Sequence, residues 1–79
     1  MKLSYNPRYN IAYIQLQEKG QEVEAIKVSD ELVVDMAPDG TIYGVELLNA
    51  NVQLKRDKKG RLLVVNEATG EQMDIPFAV

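Results

Sequence analysis

Leu32-Val33-Val34-Asp35-Met36-Ala37-Pro38-Asp39-Gly40-Thr41-Ile42-Tyr43-Gly44-Val45-Glu46-Leu47-Leu48 is the stretch whose reading decides the fold of this chain. Two apolar, β-branched arms flank Pro38-Asp39-Gly40. Pro presets φ for the second position of a turn, and Gly supplies the left-handed conformation in which such a turn ends. The arrangement predicts a hairpin. In the second arm Ile42, Gly44, Glu46 and Leu48 share one parity, and Thr41, Tyr43, Val45 and Leu47 the other. A glycine in mid-strand, here Gly44, marks a bulge or the close approach of a bulky neighbour.

The same rhythm extends outward. Asn6-Pro7-Arg8-Tyr9-Asn10, Lys19-Gly20-Gln21, Asp57-Lys58-Lys59-Gly60 and Glu67-Ala68-Thr69-Gly70 are further turns. Between them lie Ile11–Leu16, Glu22–Val28, Asn51–Arg56, Arg61–Asn66 and Glu71–Ile75, short and rich in strand-forming residues. Pro76 cannot donate to a ladder, so the last strand ends there or lies at an edge. The expected fold is all-β: a single domain over residues 1–79, an antiparallel meander of six to eight short strands, closed into a small barrel or folded into two layers. The alternative is α+β, with one short helix near residues 49–58, where Asn49 is placed to cap it. Leu3, Ile11, Tyr13, Ile26, Val28, Leu32, Val34, Ile42, Val45, Leu47, Leu63, Val65 and Ile75 are the expected core.

Composition narrows the chemistry. The 79 residues contain no Cys and no His, so disulfides, thiolate ligands and the commonest neutral-pH acid/base are unavailable. No cofactor, metal site or catalytic set is expected. Nine basic against twelve acidic residues leave a net charge of −3, which disfavours a phosphate backbone as partner. Met1-Lys2-Leu3-Ser4-Tyr5 lacks the apolar run of a signal peptide, and no window is apolar for long enough to span a membrane. The expected compartment is the cytoplasm.

Three stretches carry a family resemblance: Tyr5-Asn6-Pro7-Arg8-Tyr9-Asn10-Ile11-Ala12-Tyr13-Ile14-Gln15-Leu16, Leu32 to Gly40, and Ile42-Tyr43-Gly44-Val45-Glu46-Leu47-Leu48-Asn49-Ala50. In order and spacing they resemble the small prokaryotic family called domain of unknown function 2283, over about the first fifty-one residues. Where that family commonly has Asp, this chain has Asn6, Asn10 and Asn49. An amide can serve a turn as Asp does but holds no charge, so a cation or acid/base role at these positions is disfavoured. Some members of the family are encoded beside small toxin-like proteins, and the resemblance implies an antitoxin-like role.

Several side chains are candidates for contact with a partner. Tyr9, Tyr13 and Tyr43, with Tyr5, could stack bases or sugars, although a platform of that kind needs interleaved cations, and Arg8 is the only one near Tyr9 and Tyr13. Packed strand tyrosines are the plainer account. Asp35, Asp39 and Glu46 surround the central hairpin, and Glu46 is the first to test for catalysis. Lys55, Arg56, Lys58, Lys59 and Arg61 form the basic cluster, read as a solvated tip that guards a sheet edge. The preferred function is a non-catalytic protein-interaction module, an antitoxin-like partner of a small toxin. The alternative is a small-ligand-binding or weakly catalytic domain using Glu46 and Asp35. Because a chain this short has little core, a homo-oligomer is expected, joined through a sheet edge or an apolar sheet face.

Overall fold

The computed structural model describes residues 1–18, 22–57 and 59–77. The turn expected at Lys19-Gly20-Gln21, and Lys58 of the basic cluster, lie outside the described residues. In chain order the elements are β1 (Lys2–Asn6), β2 (Ile11–Gln15), β3 (Glu24–Ser29), β4 (Leu32–Met36), β5 (Ile42–Leu48), α1 (Ala50–Gln53), β6 (Arg61–Val65) and β7 (Gln72–Pro76). The strands form two antiparallel sheets, a five-stranded one in the order β1-β2-β5-β4-β3 and a two-stranded one of β6 and β7.

The central hairpin forms as its residues dictate. Ala37 N–H donates to Thr41 O at 2.8 Å, Gly40 N–H donates to Ala37 O at 3.0 Å, and Gly40 takes φ 90°. Asp39 Oδ1 accepts from Thr41 N–H at 2.9 Å, which closes the turn from the side chain. β5 is the longest strand and lies in the middle, paired to β4 on one side and β2 on the other. The order therefore departs from a sequential meander. Strands β3, β4 and β5 follow one another, whereas β2 pairs with β5 and the chain re-enters the sheet at its far edge.

Register assigns the two faces, because directly opposed residues of antiparallel strands share a side. Leu3, Ile14, Val45, Val34 and Ile26 form one row across all five strands. Tyr5, Ala12, Leu47 and Leu32 form the next row on the same side. This is the apolar face. The other carries Ser4, Tyr13, Glu46, Val33 and Lys27 in one row and Lys2, Gln15, Gly44, Asp35 and Ala25 in another. Two register shifts interrupt the ladders, leaving Val28 on β3 and Tyr43 on β5 without an opposed partner.

The segment Asn51–Arg56, expected as a strand, is instead α1 and the turns after it; the alternative of a short helix in this region describes it. Tertiary partners hold a turn that propensity alone would not. Gln53 Nε2 donates to Glu31 O and to Leu48 O, and the side chain of Asn10 caps α1 from outside. Asn49 sits at the N-cap position but makes no capping bond from its side chain, because it is in the left-handed region (φ 52°, ψ 48°) rather than the extended one that caps use.

The expected core needs a larger correction. Among the described residues the buried apolar ones are Ala12, Ala37 and Ala50, all small, and no large side chain is fully buried. Leu3, Val28, Leu63, Val65 and Ile75 are exposed, and the other expected core residues are half-buried. The physical reason is the number of layers. Neighbours within a sheet shelter each other laterally, but full burial needs a second layer above them. Here α1 packs against β2 and β5 at one end of the sheet, and the β6–β7 hairpin meets the sheet around Leu3 and Tyr5.

Candidate functional site

Four places hold the residues that could act on or bind something. The first is on the polar face. Tyr13 lies opposite Glu46 on β5. Its ring crosses β5 above Gly44, and its hydroxyl donates to Asp35 Oδ2 on β4 at 2.8 Å. Gly44 is what permits this reach. A Cβ there would strike Tyr13 Oη, would sit 2.6 Å from Tyr13 Cζ, and would come within 2.8 Å of Ile14 O. The mid-strand glycine thus answers both readings made for it: the ring approaches it, and the adjacent Tyr43 is the bulged residue. Partial burial, the hydrogen bond to Asp35, and the negative charges of Asp35 and Glu46 push the Tyr13 phenol up to about 12. Tyr13, Asp35 and Glu46 therefore come together, but the phenol is held protonated far above neutral pH.

The other tyrosines do not join them. Tyr5 is on the apolar face and donates to Asn10 Oδ1 at 3.3 Å. Tyr9 lies in the β1–β2 turn, 63% exposed, with the Arg8 guanidinium 5.4 Å from its ring centroid. Tyr43 is half-buried at the bulge, and its carbonyl accepts from the N–H groups of Leu16 and Gln17. The four rings are divided among a face, a turn, a bulge and the opposite face.

The second place is a cluster of amides. Asn10 is left-handed, with φ 54°. Its Nδ2 donates to Asn49 Oδ1 at 3.1 Å and to Asn51 Oδ1 at 2.7 Å, while its Oδ1 accepts from Asn51 N–H at 2.8 Å. Asn6 Oδ1 accepts from the N–H groups of Arg8 and Tyr9. All three positions at which the family resemblance suggests Asp serve turns or a cap here. Asn51 was not singled out from the sequence, since its role depends on a contact 41 residues away in the chain.

The third place is the basic cluster, which separates. Arg56 makes a two-pronged pair with Glu31 at 2.7 and 3.0 Å, holding the Glu31 carboxyl below its ordinary range. Arg61 Nε donates to Asp74 Oδ1 at 2.7 Å. Lys55 and Lys59 are exposed.

The fourth place is apolar. The β6–β7 hairpin pairs Leu62 with Ile75 and Val64 with Met73, so one of its faces is wholly apolar. At its base Leu62, Ile75, Pro76 and Phe77 meet Leu3, Tyr5 and Leu54 around a cavity of about 320 Å³. Beyond it Val64 is 50% and Met73 62% exposed. The apolar faces of sheet and hairpin thus meet at this cavity. The expected core grouped Leu63 and Val65 with Ile75, but the register sets those two on the other face of the hairpin and places Ile75 with Leu62, Val64 and Met73.

The model of the family described as "Protein of unknown function (DUF2283)" matches residues 2–51. The chain belongs to that family. No curated protein and no solved structure matches the chain. The matched residues of this family member run from β1 to the first turn of α1, which is the five-stranded sheet with its asparagine cluster. The β6–β7 hairpin lies outside the match. Among the described residues no helix is long and apolar enough to cross a membrane.

Proposed function

We propose that this chain is a non-catalytic protein-interaction module that docks a protein chain against the apolar face of its five-stranded sheet. One observation carries the reading: the sheet has a face of large aliphatic side chains, yet among the described residues the buried apolar ones are only Ala12, Ala37 and Ala50. Such a surface is half of a core, and apolar area left in water favours covering it by roughly 25 cal/mol per Å². The finer reading, supported by the family resemblance alone, is an antitoxin-like role in which a small toxin-like protein docks at an exposed strand edge of the sheet.

The experiment places a photo-crosslinking amino acid at one position of edge strand β3 in living cells. Ile26 is on the apolar face and Lys27 on the polar one. The reading expects protein adducts from position 26 and few from 27. Equal yields, or none at 26, remove it.

Tyr13, Asp35 and Glu46 support a ligand-binding or weakly catalytic role less well. Tyr13 already spends its proton on Asp35, and the group lies on an open sheet face. Glu46→Gln is expected to leave adduct formation at position 26 unchanged.

A further inference from the structure

We infer that the chain docked on the apolar face is a second copy of this one, giving a two-fold dimer in which the apolar faces of sheet and hairpin together form the core. This rests on the reading that the apolar face docks protein, and it adds the identity of the occupant.

The argument is one of area and obligation. A compact monomer of 8.9 kDa exposes about 4,800 Å² by the size scaling of folded monomers. This chain exposes 6025 Å². The excess, about 1,200 Å², is more than the ~800 Å² that each partner contributes to a standard interface. Shape agrees: the radius of gyration is 14.1 Å, against about 11.6 Å for a compact chain of this length, and the extents are 36 × 34 × 19 Å. The molecule is a slab, one sheet thick over much of its area. A chain with no large side chain fully buried among its described residues gains too little from its own packing to offset the entropy of ordering 79 residues. Its partner must therefore be present whenever it folds. Another copy satisfies that condition by synthesis alone, and permanent homodimer interfaces resemble a domain core cut in half.

The surface also suits self-pairing. A two-fold contact brings the same patch from both sides, so the patch must complement itself. Leu3, Ile14, Val45, Val34 and Ile26 form an uncharged row that can lie against its own copy at the usual sheet spacing of about 10 Å. The hairpin extends that surface with Val64 and Met73. An isolated two-stranded hairpin is marginal in water, so its apolar face requires cover as well.

The test is sedimentation equilibrium of the full chain over a range of concentrations, with far-ultraviolet circular dichroism on the same samples. The expected result is twice the chain mass at micromolar concentration, with strand signal lost as the dimer dilutes apart. Met73→Asp and Ile26→Lys are each expected to weaken the dimer at least about tenfold. Leu63→Ser, on the other face of the hairpin, is expected to leave it unchanged. A folded monomer at about 100 μM would overturn the inference, and so would a dimer indifferent to both face variants. Should Met73→Asp unfold the hairpin, Ile26→Lys decides. A monomer whose position-26 probe still captures a different protein would sink the second copy and leave the docking face standing. No protein adduct from that position would sink both.

Discussion

At the residue scale, Gly44, Tyr13 and Asn10 carry most of what is specific to this chain. Gly44→Ala drives a methyl group into the Tyr13 ring and against the backbone oxygen of Ile14. It is expected to cost about 1–3 kcal/mol in urea denaturation. Tyr13→Ala in the same background should recover part of that and not all, since the Ile14 contact is backbone. Tyr13 also predicts a pH dependence. Its folded pKa is raised, so the stability it contributes is fully present below the ordinary tyrosine value of 10 and is lost as pH rises towards about 12. Urea midpoints of the native chain and Tyr13→Phe should therefore converge over that interval, and parallel curves would refute the assignment. Asn10→Ala removes the external cap of α1 and the bonds to Asn49 and Asn51. About 1–2 kcal/mol is expected to go with them. Asn10→Asp should cost less, because a carboxylate still accepts from Asn51 N–H and the facing amides can rotate to donate.

Among the elements, the contrast is between the five-stranded sheet and the hairpin that follows it. α1 is a single turn, and it survives through Gln53, Asn10 and the Glu31–Arg56 pair rather than through its own propensity. The depressed Glu31 carboxyl contributes stability above the ordinary glutamate pKa and loses it as pH falls. Glu31→Gln should thus be slightly less stable than the native chain at neutral pH and equal to it in acid, a difference that salt diminishes. Among the described residues the hairpin has no comparable side-chain ties to the sheet. Phe77 N–H donates to Gly60 O at its base, and Arg61–Asp74 is an exposed pair between its own strands. Amide exchange in Leu62–Val65 and Met73–Ile75 is expected to slow as protein concentration rises, while exchange in the β4–β5 ladder stays the slowest throughout.

For the whole molecule, a 79-residue chain without Cys takes the extents of a slab, and among the described residues the buried apolar side chains are those of Ala12, Ala37 and Ala50. What the sequence by itself determined was local. Pro38-Asp39-Gly40 and the glycines at 60 and 70 set the turns, all three glycines taking positive φ, and alternation set which side chains share a face. Gly44 in mid-strand marked a bulge or a close approach. These follow from backbone sterics and a period of two, which operate over a few residues. The tertiary structure alone decided that β2 lies beside β5, that Asn51 finds Asn10, that Tyr13 reaches Asp35, and that the basic cluster divides between Glu31 and Asp74. Each joins residues far apart in sequence, so no local preference encodes it. Burial belonged to the same class. An apolar strand residue is core only if a second layer lies above it, and whether that layer comes from the same chain is a property of the assembled shape.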